Sequence, residues 1–130
     1  RPRNYSYQMP KKARQAALRN AVFTKVRDGE IAVVDGLFAD KPNTKAAVSV
    51  LAALGMERSV LVVTESPDRN AYLSFRNVPG VDVAPVGDLN AHMVLLRRYM
   101  VVTSGALESM KGSLAPKVST TVSPQRAGGE

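Results

Sequence analysis

Three short runs constrain the fold of this chain more than any other feature: "IAVVD" at Ile31 to Asp35, "SVLVVT" at Ser59 to Thr64 and "YMVVT" at Tyr99 to Thr103. Each is rich in β-branched residues and shows no polar alternation, the pattern of a strand buried on both faces of a sheet. "VDVAP" at Val81 to Pro85 is a weaker run of the same kind. Helical stretches with start and stop signals lie between the runs. Asn43 or Thr44 opens one through Leu54, with Gly55 just past its end, and Ser66 and Pro67 open one through about Arg76. Asn90 opens one through Arg98, and a last one spans about Ser104 to Ser113. Strand alternating with helix is the βαβ rhythm. The sequence therefore predicts an α/β fold in three layers, α/β/α, around a mainly parallel sheet of about four strands.

Ahead of the first run, Pro10 has its φ preset for a first helical position, and Ala13, Ala17 and Ala21 recur at a spacing of four beside Leu18 and Val22. This predicts a helix from about Pro10 to Arg27, stopped by Asp28 and Gly29, with a mostly alanine stripe that packs close to whatever lies under it. From Pro116 the segment "PKVSTTVSPQRAGGE" has no periodic apolar face and reads as disordered. At 130 residues and 45% hydrophobic the chain has material for one domain with one core. Its expected organisation is a basic leader at 1–9, a globular body at 10–115 and a tail at 116–130.

The charge is polarised along the chain. Up to Arg27 there are eight basic residues, Arg1, Arg3, Lys11, Lys12, Arg14, Arg19, Lys25 and Arg27, and no acid; the other ten basic residues face all eleven acids. Such a distribution is an electrostatic footprint for a polyanion, because cationic side chains displace condensed counterions from phosphates. A solvated helix face is the plainer alternative. Against it stand the total lack of Asp and Glu and the tyrosines of "YSY", Tyr5 and Tyr7, whose rings can stack on unpaired bases.

Other classes fit less well. Without cysteine, neither a disulfide framework nor a thiolate metal site holds the fold, and no apolar run approaches the roughly 18 residues of a membrane span. Arg1 is not an initiator methionine and no signal-peptide pattern follows it, so the chain is expected to be a piece of something longer. Sheets of this kind usually bind ligands beyond the carboxyl ends of their strands. No GxGxxG or GxxxxGKS/T turn follows any strand, but the strand-end loops "DGLFAD" and "TESPDRN" offer Asp35, Asp40, Glu65 and Asp68. Two such acids could hold magnesium or do acid/base work in a small ligand-binding or hydrolytic domain. The more economical reading is that they cap helices and solvate loops, as Ser66 and Asp68 would at a helix start. His92, the only histidine, sits in a helical stretch beside Met93 and reads as a surface or partly buried residue rather than a ligand or base. A nucleophile elbow of the form GxSxG is absent.

Four segments in order resemble the family of the bacterial-type fourth protein of the large ribosomal subunit. They are "RPRNYSYQMPKKARQAALRNA", "VVDGL" with "NTK" after it, "PDRNAYLSFRNVPGV" and "VGDLNAHMVLLRRYMVVTSGALE". The resemblance covers Arg1 to about Met110 and rests on the order and spacing of the segments. In that family an α/β body lies against rRNA on the outer surface of the subunit, and a long basic loop threads inward to line the peptide exit tunnel. The resemblance implies that Arg1 to Lys12 is where such a loop returns to the body, so that the leader and first helix face rRNA; the loop itself, and the tunnel-lining role, fall outside this chain. Where the family commonly has Tyr and Asp this chain has His92 and Met93, and Ser74 with Phe75 stand in place of two small residues.

The implied protein is a structural constituent of the ribosome with no enzyme activity, cofactor, metal, membrane contact or small-molecule substrate. Its implied partners are large-subunit rRNA and neighbouring large-subunit proteins, in the cytoplasm or in an organellar ribosome. Arg1, Arg3, Lys11, Lys12, Arg14 and Arg19 are the expected phosphate contacts, with Tyr5 and Tyr7 for stacking or sugar contact. Arg76 and Asn77, in "RNVPGV", and Arg97 and Arg98 form a second rank, since at helix ends such residues equally cap carbonyls or pair with acids.

Overall fold

The computed structural model describes residues 2–8, 10–35, 41–56 and 58–114 of the 130. Arg1, Asp40 and the tail from Pro116 lie outside the described residues. Among the described residues five α-helices and four strands alternate, in the order α1 (Lys11–Arg27), β1 (Ile31–Val34), α2 (Thr44–Ala53), β2 (Val60–Thr64), α3 (Arg69–Phe75), β3 (Val81–Pro85), a 3₁₀ turn at Val86–Asp88, α4 (Ala91–Leu96), β4 (Tyr99–Thr103) and α5 (Ser104–Leu114).

The four strands form one parallel sheet in the order β1-β4-β2-β3, so the weak fourth run is a true strand and the last strand inserts between the first two. Register sorts the side chains into rows. Ala32, Val101, Val62 and Val83 align across the sheet and meet Ala47 and Leu51 of α2 and Phe75 of α3. The flanking rows, Ile31-Met100-Leu61-Asp82 and Val33-Val102-Val63-Ala84, point to the other face, where α1, α4 and α5 supply Ala21, Val94, Ala106 and Met110. Alternate residues of a strand face opposite ways, so these two clusters are the two sides of a three-layer α/β/α body. β2 is buried throughout because it is flanked by strands and covered by helices on both faces.

Several expectations shift. β1 is an edge strand, not one buried on both faces: Val33 is 52% exposed although its row neighbours Val102 and Val63 are at 0%. α1 starts at Lys11, since Pro10 has a helical φ of −55° but an extended ψ of 144°. Of its alanine stripe only Ala21 is buried in the sheet-side cluster, with Leu18 and Val22 packed against it, while Ala17 is half-buried and Ala13 exposed. α2 follows the reading closely: the Asn43 side chain accepts the Ala46 N–H, and Gly55 past the end takes a φ of +71°, which glycine adopts without strain. α3 begins at Arg69 rather than at Ser66–Pro67. α4 stops at Leu96, because Arg97 is already extended toward β4, and α5 runs one residue longer than expected. Phe75, where a small residue was the family expectation, fills the centre of the core between α2, α3 and the sheet.

Candidate nucleic-acid interface

Lys11, Lys12 and Arg14 occupy the first turn of α1, a place the helix itself does not favour. Aligned peptide dipoles make a helix N-terminus positive, so cations there repel it and acids are preferred. α1 has no acid in its first turn and no side-chain cap. The free N–H groups and three exposed cations therefore converge on one end of the helix, an arrangement that suits an external anion. Arg19 is exposed further along the same helix.

The leader precedes α1 in the chain. Residues 2–8 are exposed throughout, with Tyr5 at 80% and Tyr7 at 83%. The Arg3 guanidinium stands 5.4 Å from the centre of the Tyr5 ring, within cation–π range. The Asn4 side-chain oxygen accepts the Ser6 N–H at 2.9 Å, which turns the chain between the two tyrosines. Beside α1, a groove of about 680 Å³ runs against the 3₁₀ turn and the start of α4, with Lys11, Arg14 and Leu18 on one wall and Asp88, Asn90 and His92 on the other. His92 is exposed, as a surface histidine was expected to be.

The C-terminal half of α1 behaves differently. Lys25, one of the eight cations of the charge run, is buried: its ammonium donates to Glu30 Oε2 at 3.1 Å and to the Arg98 carbonyl at 2.8 Å. Arg27 lies 3.4 Å from Asp28. Sequence reading counted both toward the leader charge. The signal that separates them was present, since Asp28 and Glu30 are the first acids in the chain and follow them directly.

The second-rank residues divide as well. Arg97 is committed to the fold: it pairs with Asp82 at 2.7 Å and donates to the Gly80 carbonyl at 3.1 Å, tying the edge strand β3 to the turn into β4. Arg98 is more open, 3.8 Å from Glu30 Oε1 and 5.1 Å from the Tyr99 ring centre. Arg76 and Asn77 are exposed at the end of α3, away from α1 and on the opposite face of the sheet. Arg3, Tyr5, Tyr7, Lys11, Lys12, Arg14 and Arg19 are thus all exposed in the leader and first helix, while Arg76, Asn77, Arg97 and Arg98 lie on other elements.

The strand-end acids among the described residues, Asp35, Glu65 and Asp68, stand in three separate settings. Asp68 caps α3, its carboxylate accepting the Asn70 and Ala71 N–H groups. Glu65 rests against the start of α5, with Oε2 2.5 Å from where a Cβ on Gly105 would stand, so its charge faces the positive end of that helix. Asp35 is exposed at the end of β1. Among the described residues no group of three or more His, Cys, Asp or Glu side chains could hold a metal ion, and no helix is long and apolar enough to cross a membrane. The reading of a ligand-binding or hydrolytic domain finds no support.

A family model described as the ribosomal protein L4/L1 family matches residues 1–113. The chain belongs to this family. It is 40% identical over 107 residues to the large ribosomal subunit protein uL4 of Natranaerobius thermophilus, a match covering 82% of this chain and 52% of that protein. To the uL4 proteins of Moorella thermoacetica and Staphylococcus carnosus it is 41% and 42% identical, over 88% and 85% of this chain and 55% and 53% of theirs. The chain spans about half the length of these curated L4 relatives. The resemblance read from its four segments is borne out, with the family match reaching three residues beyond Met110.

Proposed function

We propose that this chain is the rRNA-contacting body of a large-subunit ribosomal protein, a structural and non-catalytic constituent that holds rRNA by neutralising phosphates. The observation that carries this reading is the set of exposed cations Lys11, Lys12 and Arg14 on the uncapped, positive end of α1, preceded in the chain by the exposed Tyr5 and Tyr7 and with no carboxylate before Asp28. Membership of a family whose relatives are named as large-subunit proteins supports it. Arg1, Arg3, Lys11, Lys12, Arg14 and Arg19 are the phosphate contacts, and Tyr5 and Tyr7 stack on bases or sugars. Neighbouring large-subunit proteins are the other partners, and the ribosome is the place of work.

A salt titration of binding to a large-subunit rRNA fragment tests this. Each Lys or Arg contact releases counterions, so log K falls with log salt by about 0.7 to 0.9 per contact, and four to six contacts give a slope of roughly −3 to −5. The triple variant Lys11→Ala, Lys12→Ala, Arg14→Ala should flatten the slope by about 2 to 3 units. Its stability should stay within about 0.5 kcal/mol of the parent, because these side chains are exposed. Tyr5→Ala with Tyr7→Ala should weaken binding by about 1 to 3 kcal/mol per stacked base with little change of slope. A triple variant with the parent's slope and affinity would show that the cations are only a solvated helix face.

A further inference from the structure

We propose that the α2–α3 face is a second RNA-docking surface, so that the body joins two RNA segments, one on each side of its sheet. The inference rests on the reading that the protein binds RNA and adds a site on the opposite layer from α1.

Beyond the first half of α1, some cations of the body face carboxylates and others, Arg58 and Lys111 among them, are exposed with no ion pair among the described residues. Arg27, Arg97 and Arg98 each face a carboxylate, and Lys25 is buried on one. Lys41 and Lys45 at the start of α2, and Arg69 and Arg76 on α3, are exposed and form no ion pair among the described residues. Neither helix contains an Asp or Glu to offset them.

Arg69, Tyr72 and Arg76 are spaced i, i+3, i+7, and Arg76 keeps a helical backbone at φ −57° and ψ −32°, so all three lie along one face of α3. Tyr72 is 52% exposed between the two arginines. The core does not need it there, since α3 is anchored instead by Ala71, Ser74 and Phe75. Two arginines flanking an open aromatic ring match a single strand, whose phosphates take the cations and whose bases stack on the ring. α2 is fixed alongside, because the Ser74 hydroxyl accepts the Asn43 N–H at 3.0 Å. Between α2 and the turn after α3, Val48, Leu51, Ala52 and Val78 line an apolar depression of about 200 Å³ that can receive an unstacked base.

The α1 cations serve the other cluster's side of the sheet, so one RNA strand lying on α1 does not cover α3. The partner class follows from charge: among the described residues these four cations form no ion pair, and the nearest acid, Asp68, is committed to capping α3, so the face selects a polyanion.

The test is a bridging assay with the whole chain and two short mixed-sequence single-stranded RNAs, one biotinylated and one fluorescent. The parent should retain fluorescent RNA on streptavidin beads. The variant Arg69→Ala, Tyr72→Ala, Arg76→Ala should bind either RNA alone through α1 but lose bridging by 10-fold or more, on the order expected when two phosphate contacts and a stacking platform go. Its circular dichroism and melting temperature should match the parent's, because all three side chains are exposed. Bridging retained by this variant overturns the proposal, and shows that self-association of α1-bound copies joins the RNAs. If the parent binds neither RNA, the reading of the function itself fails; if the α3 variant alone is silent, only the second face does. Ultraviolet cross-linking in a ribosome-containing lysate should place an RNA adduct on Tyr72. An adduct to a protein there, and none to RNA, assigns the face to an acidic protein partner and refutes the proposal.

Discussion

Lys25 belongs by sequence to a run of cations and by structure to the floor of the sheet. Its ammonium joins three elements, since it sits on α1 and donates to Glu30 just before β1 and to the Arg98 carbonyl just before β4. A buried donor of this kind contributes through the groups it satisfies, and removing it leaves a carboxylate and a carbonyl without their nearest partner. Lys25→Met should lower stability in urea unfolding by about 1 to 3 kcal/mol, the range for unsatisfying buried polar groups. Lys12→Ala, at an exposed position, should stay within about 0.5 kcal/mol. A Lys25→Met protein as stable as the parent would return that charge to the RNA-facing set. Gly80 makes a similar test at the opposite edge. Its φ is +76°, and a Cβ there would stand 3.2 Å from the Ser59 backbone nitrogen, which cannot swing aside. Gly80→Ala should therefore cost about 1 to 3 kcal/mol, read as a lowered midpoint in the same unfolding experiment.

Elements were legible where the local signals agreed and misread where two competed. α2 has a cap, a periodic stripe and a terminal glycine that agree, and it starts and stops where the sequence says. At α3 two starts compete. Thr64 donates its hydroxyl hydrogen to the Ser66 carbonyl at 2.9 Å, which holds Ser66 to the end of β2, while Asp68 offers a carboxylate to two helix N–H groups. The later cap wins because it satisfies two donors that would otherwise be orphaned. Asp68→Ala should therefore cost about 1 kcal/mol, and Asp68→Asn much less, whereas Ser66→Ala should fall within about 0.5 kcal/mol. Equal losses at Ser66 and Asp68 would contradict this assignment. The edge position of β1 was not legible, because strand order is set by which crossover packs, and a run of "IAVV" reads alike at the centre or the rim. The α1 cations of the candidate site were legible from charge alone. The α2–α3 face was not, since four cations divided between two helices make no run.

At the scale of the whole molecule, two surfaces respond to salt in opposite directions. The cationic surface is governed by counterion release, so RNA binding weakens as salt rises. The apolar edge is governed by burial. Val33 is the rim of a row whose other members, Val102, Val63 and Ala84, are at 2% exposure or less, and among the described residues β1 pairs with β4 alone. On the same side of the sheet, Phe23 and Val26 of α1 are 65% and 55% exposed. An unpaired strand edge is a template for pairing with another copy, and exposed apolar residues add to the tendency. The net charge of +7 opposes such pairing at low ionic strength, and screening over a Debye length of about 8 to 10 Å removes much of that repulsion near physiological salt. Sedimentation of the RNA-free chain should therefore show association that grows with both protein concentration and salt. Val33→Lys places a charge on the rim at a half-exposed position, and should return the chain to a monomer while leaving the slope of RNA binding against salt unchanged. Association that falls with salt would make the contact electrostatic, and association that survives Val33→Lys would move it from the β1 edge to another apolar surface.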